Sequence, residues 1–166
     1  MREFGSVLEF AEHLIKLEVG LRLIEHKALG HVLEVLEKDM KAQIGEYQEE
    51  IGPYPAWAPL ADSTEEEKER LGYAANAPLS RTGDLEKSFI HDQDGDEGIV
   101  GSTDPVMEYH EFGTSKMPPR PVVGPAVERN RPKIEKLLRH ALVEAIVGNE
   151  VLEALGADYL GNDISS

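Results

Sequence analysis

The chain has 166 residues, no cysteine, 40% hydrophobic residues and a formal net charge of −15. That length suits one domain, or a core with an attached arm, and it is enough to bury a hydrophobic core unaided. Without cysteine there are no disulfides, thiolate nucleophiles or Cys-based zinc or iron–sulfur sites. No run approaches the roughly 20 apolar residues of a membrane span. Residues 1–10 carry Glu3 and Glu9 and lack a signal-peptide pattern. A cytosolic product is therefore expected, with no membrane association. The acidity argues against nucleic-acid binding, because phosphate recognition needs concentrated Lys and Arg, and DNA contact is not expected. The charge is uneven: residues 105–143 hold seven Lys/Arg against four Glu, a local +3. That stretch is either a solvated helix face or a basic surface that meets an acidic surface of a neighbouring subunit.

From the N-terminal side, residues 7–44 read as helix. Apolar residues recur at Val7, Leu8, Ala11, Leu14, Ile15, Leu17, Leu21, Ile24, Ala28, Val32, Val35, Leu36, Met40 and Ile44, the three-to-four spacing of a helix face. Ser6 is a candidate N-cap, with Glu9 completing a capping box. Gly20 and Gly30 each cost about 1 kcal/mol relative to Ala, so either one long helix or two helices fit. Residues 45–62 carry Gly45, Gly52, Pro53, Pro55 and Pro59 and read as turns. Tyr54 and Trp57 sit there, either tucked over the core edge or anchoring a subunit contact. Ser63 or Thr64 can cap a short acidic helix over 64–71, and residues 72–83 return to loop.

Residues 84–104 read as a hairpin: Phe89 and Ile90, a polar run from His91 to Gly98, then Ile99 and Val100, with Gly95 and Gly98 in the turn. A third extended piece is expected at 106–109, then a glycine- and proline-bearing loop over 110–121. A second long helix comes next, over 122–147. Pro125 fits its first turn, Pro132 predicts a kink or restart near Arg131, and Gly148 and Asn149 end it. One more short helical stretch over 149–160 and a frayed end over 162–166 complete the reading. The expected fold class is α+β, with two long helices packed on a small antiparallel β-sheet. The organisation is 1–50 as a long helix or helix pair, 51–148 as the α+β core with the second helix, and 149–166 as a tail.

No residue set for catalysis emerges. DQDGDEGI (92–99) places Asp92, Asp94 and Asp96 like the first ligands of an EF-hand loop. Glycine then falls at the seventh position instead of the sixth, and the twelfth is Thr103 instead of Glu. The six histidines show no metal spacing, and no GxxxxGK[ST] or GxGxxG turn is present. Tyr109–His110–Glu111 could supply a general base, but no nucleophile or second acid accompanies it. No cofactor, metal or enzymatic activity is expected.

Two segments carry more information. The first is WAPLADSTEEEKERLG (57–72) followed by LSRTGDLEKSF (79–89). The second is YHEFGTSKMPPRPVVGPAV (109–127). In the first, Gly83 suits a left-handed turn, and Thr82 or Asp84 can cap the residues after it. In the second, Phe112 is expected as an anchor into the core and Gly113 as the reversal. Met117 to Pro121 should run extended, with Arg120 free to make fork-like bonds to a carboxylate. A loop fixed at both ends and projecting between them makes an interface element. Together the segments resemble the HK97 gp10-like family of phage proteins, and more loosely the phage virion morphogenesis family, over roughly residues 55–147. Val122 departs from the pattern, standing where members often have an aromatic residue.

That resemblance implies a tail-completion, neck or minor tail component, acting through subunit contacts at the head–tail junction. The alternative is a tail-assembly adaptor or chaperone absent from the mature virion. The implied partners are copies of the chain in a ring, a hexamer among the options, together with the head connector or adaptor and the tail terminator or tail tube proteins. The implied location is the host cytoplasm during assembly and the virion afterwards. The suspected interface and motif residues are Trp57, Gly83, Asp84, Glu111, Phe112, Gly113, Thr114, Lys116, Met117, Arg120 and Pro121, with Arg120 as the strongest single contact.

Overall fold

The computed structural model describes residues 6–147. Seven elements succeed one another: α1 (Val7–Gln43), α2 (Asp62–Arg70), α3 (Asp84–Lys87), β1 (Phe89–Asp94), β2 (Glu97–Ser102), α4 (Val106–Phe112) and α5 (Val123–Val147). The fold is α+β, with long helices on a two-stranded antiparallel sheet. The chain divides into two compact units, Met1–His31 with Lys133–Ser166, and Val32–Pro132.

α1 is a single helix of 37 residues. It begins where the sequence predicts, because the Glu9 N–H donates to Ser6 Oγ at 3.1 Å and satisfies one of the otherwise orphaned first-turn amides. Neither Gly20 nor Gly30 interrupts it. α5 likewise runs through Pro132 without the expected restart; proline there forfeits one backbone hydrogen bond but leaves the rest of the ladder. In the unit Met1–His31 with Lys133–Ser166, Val7, Leu8, Ile15, Val19 and Leu23 of α1 are exposed, whereas Ala28 is buried. Leu138, Leu142 and Val143 of α5 are exposed too. The expected helix end at Gly148 and Asn149 and the predicted tail lie outside the described residues.

The unit Val32–Pro132 holds most of the buried core. Leu33, Leu36 and Met40 from α1, Trp57, Phe89 from β1, Met107 from α4, and Val122 and Ala126 at the start of α5 are all buried. The hairpin is longer and tighter than the sequence suggests. Residues 91–94 continue the strand instead of forming the turn, and the register Asp94↔Glu97 leaves a two-residue connection. Gly95 takes φ 59° there, the positive φ that the first central position of a type II′ turn requires. The hairpin lies close to α1. A β-carbon at Gly98 would lie 2.6 Å from Leu33 Cδ1, and His91 Nδ1 hydrogen-bonds Glu37 Oε2. α5 is tied to the same helix by Arg129, whose Nε and Nη2 donate to Asp39 Oδ2 at 2.9 and 2.7 Å. The turn at 51–54 presses on α5 so closely that a β-carbon on Gly124 would meet Tyr54 Oη at 2.1 Å.

Two local expectations change. Residues 106–112 form α4 instead of a third strand, because Asp104 Oδ1 accepts the Val106 N–H at 2.9 Å and fixes a helical first turn after Pro105. α2 starts at Asp62 with Ala61 at its N-cap, so neither Ser63 nor Thr64 caps it. α3 begins after Gly83 at φ 83°, as that glycine predicts, and the Asp84 N–H at its start donates to Thr82 Oγ1 at 3.4 Å. Among the described residues no helix is long and apolar enough to cross a membrane.

Candidate functional site: a groove between the two motif segments

The segment 109–122 folds as a chain of braces. α4 ends at Gly113, with φ 72° and ψ 179°, a region open essentially to glycine alone. A β-carbon there would also lie 2.8 Å from the Pro119 backbone nitrogen. Thr114 and Met117 then pair as a tight bridge, the Thr114 N–H donating to Met117 O at 2.9 Å and the Met117 N–H to Thr114 O at 3.3 Å. The Thr114 hydroxyl accepts the Lys116 N–H at 3.2 Å, so Ser115 and Lys116 form an exposed tip. Pro118 and Pro119 lead back, and the Arg120 N–H donates to His110 O at 2.6 Å. Pro121 then connects to the fully buried Val122.

Two residues of this segment turn the opposite way from expectation. Phe112 is not a core anchor: it is 78% exposed, and its neighbour on the same helix face, Tyr109, is 58% exposed. Arg120 does not project from the loop: it is 5% exposed, and its Nη2 donates to Ala58 O at 3.0 Å and Pro59 O at 3.2 Å. It therefore ties the second motif segment to the first. Glu111, between His110 and Phe112, reaches the start of α5. Its Oε2 accepts from the Val122 and Val123 N–H groups at 2.8 and 3.3 Å, and its Oε1 lies 3.5 Å from the Gly124 nitrogen. A carboxylate from elsewhere in the chain thus caps this helix, where unsatisfied amides and the helix dipole favour negative charge.

The first segment supplies the facing wall. Trp57 is buried and its backbone N–H donates to Gln48 O at 2.9 Å, the core-edge position and not a surface anchor. Lys68 in α2 is 7% exposed, and its Nζ donates to Ala77 O. Burial pushes its pKa down, Arg81 adds repulsion, and Glu65 partly offsets both. Arg81 stacks on Tyr73 with its guanidinium 5.4 Å from the ring centre and pairs with Glu67 at 3.5 Å. Leu79 adopts φ 63°, a left-handed conformation that costs a bulky residue roughly 1–2 kcal/mol. Beside Gly83, the Thr82 hydroxyl donates to Asp84 Oδ2 at 2.6 Å.

Between these walls lies a groove of about 660 Å³, lined among others by Lys68, Leu79, Asp84, His110, Met117 and Arg120. Of the suspected interface residues, Gly83, Asp84, Lys116, Met117 and Arg120 share it, while Trp57, Glu111, Phe112, Gly113, Thr114 and Pro121 stand outside its lining. His110 Nδ1 and Arg120 Nε are enclosed without hydrogen-bond partners. Burial lowers the His110 pKa, Arg120 lowers it further, and Asp104 works against both. Among the described residues no three His, Asp or Glu side chains gather as metal ligands. The arrangement suits binding through positive charge and apolar contact. Lys68 and Leu79 escaped the sequence reading. Lys68 looks like one more solvated charge in an acidic helix, and nothing local marks Leu79 for a left-handed turn.

Comparison with protein-family models, with curated proteins and with solved structures finds no match to this chain.

Proposed function

We propose that the chain is a structural protein of a phage head–tail junction or tail, working through contacts with neighbouring subunits and not as an enzyme. The sequence motifs suggest the setting. The observation that carries the contact role is the outward pair Tyr109 and Phe112, held on a short helix by Glu111, Gly113 and Arg120. Aromatic side chains presented on a fixed backbone lose little entropy on docking and supply much of the binding energy at subunit interfaces. Such contacts would join copies of the chain in a ring and bring it against the head connector or the tail terminator.

Phe112→Ser in the producing phage or prophage is the direct test. The purified variant should melt within about 0.5 kcal/mol of the unaltered chain, as a surface substitution does, while particle preparations accumulate separate heads and tails. Normal joined particles would sink the proposal. Joined wild-type particles that contain none of the chain would place it among assembly factors and not among virion parts.

A further inference from the structure

We propose that the groove between the two motif segments binds an acidic side chain on an extended, otherwise apolar segment of a partner protein, with the carboxylate received by Lys68 and Arg120. This inference is independent of where the chain works. Lys68 and Arg120 are both buried, and both make their hydrogen bonds to backbone carbonyls, Ala77 for one and Ala58 and Pro59 for the other. Neither forms an ion pair with a carboxylate among the described residues. A covered cation without a paired carboxylate is costly, Glu65 relieves Lys68 only in part from a distance, and an arriving carboxylate relieves the rest.

The groove's own acids are engaged elsewhere. Glu67 pairs with Arg81, Asp84 accepts the Thr82 hydroxyl, and Asp104 accepts the Val106 N–H. His110, beside Arg120, adds an enclosed ring nitrogen without a partner, so the polar wall is incomplete as it stands. The space of about 660 Å³ is far larger than one carboxylate. Leu79, Leu85, Val106, Met117 and Pro118 supply apolar wall for the residues on either side of it. The walls are also stiff. The Gly45 N–H holds Pro78 O at 2.8 Å just before the left-handed Leu79, and Pro118 and Pro119 restrict the other side.

The full chain should be titrated with the blocked peptide acetyl-Ala-Leu-Glu-Leu-Ala-amide, with its Gln-for-Glu counterpart, and with inorganic phosphate. Calorimetry and the fluorescence of Trp57, the sole tryptophan, next to the Ala58 carbonyl that Arg120 grips, give the readout. The Glu peptide should bind saturably, at least about tenfold more tightly than the Gln peptide, as a charge-assisted hydrogen bond implies. Phosphate should not displace it at equal concentration. Lys68→Met should weaken the Glu peptide by about tenfold or more in a variant that still folds, since it keeps the apolar stem and sets the loss of the Ala77 hydrogen bond against the removal of a covered charge. Equal affinity for the two peptides, or no binding of either, overturns the proposal, and so does undiminished binding by a folded Lys68→Met variant. Displacement by phosphate would show a site for free anions and also overturns it. The Glu-to-Gln comparison is made on the unaltered chain, so it decides the matter even if the variant does not fold.

Discussion

The two ends of α1 have the same apolar spacing and opposite fates. Near its C-terminal end Leu33, Leu36 and Met40 are buried, with Met40 fully enclosed; near its start Val7, Leu8, Ile15, Val19 and Leu23 stand exposed. Periodicity makes both ends helical, because a helix brings residues three and four apart onto one face whether or not anything covers that face. Coverage is a separate matter, decided by what the rest of the chain can reach. The pattern repeats on a smaller scale in α4, where adjacent Glu111 and Phe112 point to opposite duties, one capping α5 and the other facing solvent.

The contrast is easiest to disrupt at its buried side. Phe89→Ala should cost about 3–5 kcal/mol and Met40→Ala about 2–5 kcal/mol, since both side chains are fully enclosed and would leave cavities. Ile15→Ala, at the exposed end of α1, should change stability by no more than about 0.5 kcal/mol. Denaturant unfolding of the three variants gives all three values. A loss of several kcal/mol for Ile15→Ala would show that the exposed end is covered in solution by association, and its dependence on protein concentration would confirm that origin.

Within the second motif, Arg120→Ala should cost about 1–3 kcal/mol by stranding the Ala58 and Pro59 carbonyls. Such a loss would show Arg120 bracing its own fold, alongside any contact it makes with a partner. Glu111→Gln should cost about 1 kcal/mol, the ordinary worth of a helix cap, because the amide keeps an acceptor but loses the charge that favours a helix start. Thermal melting separates these two from Phe112→Ser, which should leave the melt in place.

The smallest effect is a pH dependence. The pKa of His110 lies below its ordinary value of 6.5 because burial and the Arg120 charge oppose the imidazolium. As pH falls below 6.5 the unfolded chain takes up a proton that the folded chain refuses, so stability is full above that value and declines toward the folded pKa. His110→Asn should flatten this part of the profile. Glu37, whose pKa is held below 4.5 by hydrogen bonds from Lys41 and His91, contributes a decline of the same sign further down. Denaturant midpoints measured between about pH 5 and 8 therefore isolate the histidine. Equal slopes for the His110→Asn variant and the unaltered chain would mean that the ring is not what resists protonation.

The two long helices, the hairpin and the turn glycines Gly83, Gly95 and Gly113 are legible in the amino-acid order, because they depend on neighbours a few residues away; α4, read as a strand, and Gly98, read in the turn but lying in β2, are not. The start of α1 comes from Ser6 and Glu9, and Gly113 is demanded by a backbone conformation that a β-carbon opposes, whereas the sequence leaves α1 open to a break at Gly20 or Gly30 and points to a kink or restart at Pro132, and both helices run on. The α+β class rests on the same local signals. Which residues of the two motifs face inward was settled by the folded chain alone. Arg120 bonds carbonyls 61 and 62 residues earlier in the chain, Glu111 caps a helix that begins 12 residues later, and the groove exists because the 57–85 and 104–120 stretches meet. A charged residue in a sequence can end at a carbonyl, at a helix start or in water. Its own type does not distinguish these ends, since the partner that settles the matter is supplied by a distant part of the fold.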